Sequence, residues 1–209
     1  MRMTSPLLLP ASLAAALALA ASPAMAQSKG DWTVAAGVHQ VAPTSNNGTL
    51  AGGLKVDVDS DIKPTITGEY FIADNLGIEI LAALPFKHDI SIKGLGRVGS
   101  TKQLPPVVSL QYHFNSRGKV SPFLGAGLNY TTFFSEETGG ALAGSRLKLD
   151  DSWGLAAHAG LDFAVGEKGA LRVDVRWIDI DSDVKLDGAK LGTVRIDPLA
   201  YGVAYVFKF

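Results

Sequence analysis

Large apolar residues alternate with small or polar ones over eight stretches of the chain. From Ile196 to Phe209 the sequence reads IDPLAYGVAYVFKF, with Leu199, Tyr201, Val203, Tyr205, Phe207 and Phe209 on one parity and Ala200, Gly202, Ala204 and Val206 on the other. A period of two is the pleat of a β-strand with one face in an oily medium. The same rhythm predicts strands over Asp31–Val41, Ile62–Ile72, Leu76–Phe86, Gln103–Phe114, Val120–Phe134, Asp151–Val165 and Ala170–Ile180. In the third of these, Ile78, Ile80, Ala82, Leu84 and Phe86 are expected on the greasy face, and Glu79, Leu81 and Ala83 on the other.

The connections alternate in length. Residues 43–60, 87–101, 135–148 and 181–190 are long and rich in Gly, Asn, Ser or Asp, whereas 73–75, 115–119 and 166–169 are short turns. An aromatic strand left at the edge of a soluble sheet would invite aggregation. Closing the sheet inside a bilayer gives every strand two partners and puts lipid on its greasy face. The predicted fold is therefore all-β, an eight-stranded antiparallel transmembrane β-barrel with short periplasmic turns and long extracellular loops. A secreted soluble sandwich or barrel is the alternative, but the mixed Gly, Thr, Ser and charged face is too poor in apolar bulk to fill a dry core.

Composition sharpens this picture. The chain is 47% hydrophobic and 19% charged, yet beyond residue 22 no apolar run approaches the roughly 20 residues of a spanning helix. A net charge of −1 argues against nucleic-acid partners, and with no cysteine disulfides and thiolate metal sites are excluded. At the N-terminus, Arg2 precedes the apolar run Leu7–Ala21, Ser22-Pro23 breaks it, and Ala24-Met25-Ala26 supplies a small-x-small pattern. This reads as a secretory signal peptide, residues 1–26, cleaved before Gln27 to leave a barrel over residues 27–209.

Candidate chemistry lies on the inward parity. Glu69, Glu79, Arg172, Asp174, Arg176 and His158, with His113 and Asp162, are expected to gather in the lumen. An eight-stranded interior is only wide enough to be filled by side chains, so this network is either a self-satisfied plug or the floor of a pocket. The four histidines fall on separate strands or strand ends, with no nucleophile–base signature. Catalysis is not expected, nor is a metal or other cofactor. Pro85, Pro105 and Pro106 each remove a ladder donor. They either end strands at the rim or leave a side opening through which a solute passes into the membrane.

The stretches ADNLGIEILAALPFKHDI (73–90), LPPVVSLQYHF (104–114), PFLGAGLNYTTFF (122–134), LDDSWGLAAHAGLDF (149–163), WIDIDSDVKL (177–186) and the final strand resemble the OmpW family of small outer-membrane proteins. The resemblance implies a barrel in the outer membrane of a Gram-negative cell that takes up small hydrophobic molecules, with receptor roles for bacteriocins or phage in some members. It also implies a tight waist where an apolar residue on strand three, here Leu81, meets a Trp on strand seven. That second position is Arg176 in this chain, and Trp177 follows on the opposite parity, toward lipid.

The expected function is binding and uptake of small apolar molecules, with Leu81, Ala83, Phe71, Phe123 and Val107 as contacts. Outer-membrane lipid and, through Tyr205, Phe207 and Phe209, the barrel-assembly machinery are the expected partners. The rivals are a plugged receptor barrel that binds partners with its loops and a lipid-modifying barrel enzyme.

Overall fold

The computed structural model describes residues 27–45 and 47–209; the expected signal, residues 1–26, lies outside them. In chain order the strands are β1 (Trp32–Ala42), β2 (Thr49–Leu50), β3 (Leu54–Val58), β4 (Asp61–Ala73), β5 (Leu76–Ala83), β6 (Phe86–Ile92), β7 (Gly96–Leu104) and β8 (Val107–His113). They continue with β9 (Val120–Thr138), β10 (Leu147–Leu149), β11 (Ser152–Val165), β12 (Gly169–Ile178), β13 (Asp181–Leu186), β14 (Ala189–Arg195) and β15 (Leu199–Lys208). Eight of them, β1, β4, β5, β8, β9, β11, β12 and β15, pair antiparallel in that order, and β15 returns to β1 to close the ring. Closure leaves these strands no free edge, as a bilayer requires.

The two parities divide as the alternation predicts. Ile66, Ile80, Leu110 and Leu128 are each more than half exposed on the outer wall, whereas Thr33, Glu69, Ser109, Gln111 and Thr131 are buried inside. Glycines on the inner face make room for bulk opposite them. A Cβ on Gly125 would overlap the His158 ring, and one on Gly202 the His39 ring. At the short turn after β4, Asn75 takes φ 65°, a left-handed conformation that Asn tolerates better than most residues.

The long connections are not irregular. β6 and β7 form a hairpin, β13 and β14 form another, and β2 pairs with β3. β9, at 19 residues, runs about 60 Å at strand rise, well past a hydrocarbon core of about 30 Å. Its upper end pairs with β7. At the other margin the Ala51 amide donates to the Leu191 carbonyl (2.7 Å) and ties β2 to β14. The segments expected as polar loops therefore build a walled extension on the long-loop end of the barrel.

Two predicted strands are each split by proline. The third stops at Ala83 and the fourth begins at Val107, so Gln103 and Leu104 belong to the hairpin above. Leu84-Pro85 also shifts the alternation by one residue. Phe86, expected on the greasy face, is 2% exposed and packs inward with Val41 and Ala200. Proline cannot continue the ladder, and a one-residue slip moves every following side chain to the other face.

Candidate functional site

The lumen is crossed by one connected polar network. The Arg172 guanidinium grips Asp162 with two bonds, Nε to Oδ1 at 2.7 Å and Nη2 to Oδ2 at 2.9 Å, and its Nη1 reaches Glu79 Oε2 at 3.0 Å. Arg176 holds the other oxygen of Glu79 at 2.7 Å and Asp174 at 2.7 Å. Residues 172, 174 and 176 reach the same space because alternate positions on β12 share a face. Asp174 meets His39 (3.2 Å), which meets Thr65 (2.7 Å). Gln111 donates to Glu69 at 2.9 Å, and its carbonyl lies 2.8 Å from His158 Nε2; His113 also contacts Glu69 at 3.1 Å. Glu69, Glu79, Arg172, Asp174, Arg176 and His158 are thus brought together and are all buried. Sequence reading did not single out His39 and Gln111 as links. Their only signal was a polar residue on the inward parity. Fork-to-carboxylate geometry of this kind is the strong form of an ion pair, and with the low local dielectric it binds the lumen wall across six strands.

Above this floor the surroundings are aliphatic. A cavity of about 180 Å³ lies in the extension, walled by Leu50, Val56, Phe133, Leu149, Val184 and Ile196 among others. The same apolar cluster continues down to Leu81, Val107, Ala156 and Ile178 on the inner face of the barrel. An engineered apolar cavity of about 150 Å³ binds benzene, so the volume suits a small ring or chain. Apart from Phe133 and Ile196, which fall in predicted strands, these wall residues lie in or next to segments read as polar loops. Their one sequence signal is alternation in short runs, as in Leu54-Lys55-Val56-Asp57-Val58 and Leu147-Lys148-Leu149. Beside the cavity, His88 is 1% exposed, and burial pushes its pKa below the ordinary imidazole value. On the rim, Asp179, Asp181 and Asp197 bring carboxylate oxygens within 4.8 Å of one another, and burial together with the Asp197 charge raises the Asp181 pKa.

The expected apolar contacts separate into two groups. Leu81 and Val107 belong to the cluster that reaches the cavity, and Ala83 packs with Val41, Phe86 and Ala200. Phe71 and Phe123 do not join them. They flank the His113 ring toward the short-turn end, with centroids 5.4 and 5.6 Å away, and Arg172 sits 4.4 Å over Phe123. At the waist, Arg176 is 2% exposed inside and Trp177 41% exposed outside.

The prolines border a break in the wall. The β5–β8 ladder ends at Leu81 and Val107, and pairing resumes only at Phe86 and Gln103. Outside this break lies a depression of about 280 Å³ lined by Ala82, Ala83, Leu104, Pro106, Tyr130 and Thr132. Pro85 lies between β5 and β6 and Pro105 between β7 and β8. The segments do not pair with each other, but each stays tied on its other side, Leu84 N–H donating to the Pro64 carbonyl (3.1 Å) and Tyr130 N–H to the Pro106 carbonyl (3.2 Å). Ala83 thus touches both the inner apolar cluster and the outer depression.

Comparison with known proteins agrees with this architecture. The OmpW family model matches residues 28–209. Outer membrane protein W of Vibrio cholerae is 39% identical over 210 residues, covering 94% of this chain and 97% of the relative. The namesake protein of Escherichia coli is 36% identical, over 95% and 97% of the two chains. The crystal structure of the outer membrane protein OprG from Pseudomonas aeruginosa superposes with a TM-score of 0.78 at 32% identity, covering 89% of this chain and 99% of that one. Greasy outer wall, closed ring and these relatives lead to one conclusion: the chain is an outer-membrane β-barrel, in contact with outer-membrane lipid, and belongs to the OmpW family.

Proposed function

We propose that this barrel, exported on a signal comprising residues 1–26, takes small apolar molecules from outside and passes them sideways into the membrane. The observation that carries this reading is the aliphatic cavity, continuous with Leu81 and Val107 and resting on a lumen filled by paired charges. Partition drives capture, since burying apolar surface gains about 25 cal/mol per Å². A solute that reached the floor would have to separate Arg172 and Arg176 from Glu79, which leaves buried charges unpaired and is costly. The break at Pro85 and Pro105-Pro106 offers an apolar way out above that floor. Ala83 and Leu81 would line the turn toward it, whereas Phe71 and Phe123 would brace the floor from below. Tyr205, Phe207 and Phe209, all outward on β15 or just after it, would serve the barrel-assembly machinery as its recognition signal.

The test is uptake of a hydrophobic dye into vesicles that carry the full barrel. Wild type is expected to accelerate uptake over empty vesicles. Replacing Pro85, Pro105 and Pro106 by Thr or Val, which restore backbone donors, is expected to slow it several-fold with the barrel still folded. Unchanged uptake in that variant would remove the lateral exit, and no uptake by wild type would favour the plugged receptor barrel.

A further inference from the structure

The cavity wall is aliphatic or aromatic except at His88, Thr101 and Gln103. These three stand together where β6 and β7 pair, His88 opposite Thr101 and Phe86 opposite Gln103. Their hydrogen bonds fix one another's orientation. His88 Nδ1 lies against the Asp59 carbonyl oxygen. A carbonyl only accepts, so Nδ1 carries the proton and Nε2 is left as an acceptor. Gln103 Nε2 lies 3.0 Å from that nitrogen, so the side-chain amide must present its NH₂ there and turn its carbonyl the other way. The depressed pKa of His88, set first by burial, keeps this neutral form at neutral pH against Asp59 and Asp61, which favour the charged one.

The result is an acceptor with nothing to accept. Gln103 is fully buried, and its Oε1 has no hydrogen-bond partner among the described residues. The Thr101 hydroxyl is no remedy, because it donates to the Lys102 carbonyl at 3.3 Å. Buried polar atoms left without partners are uncommon and carry a cost. The amide's NH₂ serves His88, but that bond leaves the carbonyl oxygen unused. The chain keeps an amide in the wall of a cavity that is otherwise hydrocarbon.

We infer that the cavity favours apolar guests that bring one hydrogen-bond donor, such as an alcohol or a phenol, over pure hydrocarbons, and that Gln103 Oε1 accepts from that donor. This rests on the proposal that the cavity is the uptake site, and it narrows the guest class. The cavity surface is carbon, with the amide set into the wall behind it. A guest reaches it by parting the lining side chains, and only a guest with a donor gains a hydrogen bond for doing so. One such bond is worth roughly a 2- to 10-fold preference.

The experiment compares 2-naphthol with its methyl ether, which matches it in shape but lacks the donor. Binding to the full barrel in lipid nanodiscs is followed by fluorescence, with each affinity corrected for the compound's partition into protein-free discs. Wild type is expected to hold the naphthol roughly 2- to 10-fold more tightly, and Gln103→Met to hold both alike. Equal binding of the two compounds to wild type, or a preference that survives in folded Gln103→Met, overturns the inference while the uptake site stands. Failure of wild type to bind either compound overturns the uptake site and this inference with it. Should Gln103→Met not fold, the wild-type ratio alone decides.

Discussion

The lower lumen and the upper cavity are built from different strands on opposite principles. Below, Glu79 is shared by Arg172 and Arg176, and side chains from β1, β4, β5, β8, β11 and β12 close on one another. Above, apolar side chains from β2, β3, β6, β7, β9, β10, β13, β14 and the Ile196 segment leave space between them. Directional bonds fill a narrow tube because each one fixes its partners. Non-directional apolar contacts tolerate a void, and a dry void admits a guest. On the proposed function, stability rests chiefly on the floor and recognition chiefly on the cavity.

Glu79→Ala should break it most severely. Two guanidiniums lose their common partner, and removal of one member of a buried ion pair typically costs about 3–5 kcal/mol. Urea unfolding in lipid vesicles should show that loss, while dye uptake by the fraction that remains folded stays near wild type. Val194→Phe should do the reverse. Val194 is a buried part of the cavity wall, so a larger apolar side chain occupies guest volume. Uptake should fall about tenfold, equivalent to roughly 1.4 kcal/mol of guest binding, with little change in barrel unfolding. If Val194→Phe destabilised the barrel as much as Glu79→Ala, the division of labour would be wrong.

The smallest expected effect is on pH. His88 has its pKa depressed by burial, so its contribution to the extension is present above the unfolded value, about 6.5. That contribution is lost as pH falls through the lower folded value. Amide exchange in β6 and β7 should therefore accelerate on acidification below that range, and His88→Gln should flatten the response. An unchanged acid response in the variant would assign it to other groups.

The barrel was legible because its alternation persists for ten residues or so at a time, and because inward charges such as Arg172, Asp174 and Arg176 fall on one parity. The network's membership followed from parity alone. Its links did not, since His39 and Gln111 become neighbours of Asp174 and His158 only through strand order and stagger. The cavity was illegible for another reason. Leu50, Val56, Leu147 and Val184 come from separate short runs, and no single run is long enough to announce a strand, whereas Phe133 and Ile196 stand at the ends of predicted barrel strands and give no sign of a shared wall. Gln103 reads as the start of a barrel strand because its parity runs unbroken across Pro105-Pro106 into β8.

Leu84-Pro85 makes chain length itself a constraint. Ahead of it odd-numbered side chains point inward, and after it Phe86 and His88 do. Loss of a single codon there would leave every downstream residue chemically intact yet rotate the hairpin's two sides, offering its oily surface to water and its lysines to the void. Drift at this spot is expected to proceed by substitution, or by insertions and deletions of residues in pairs.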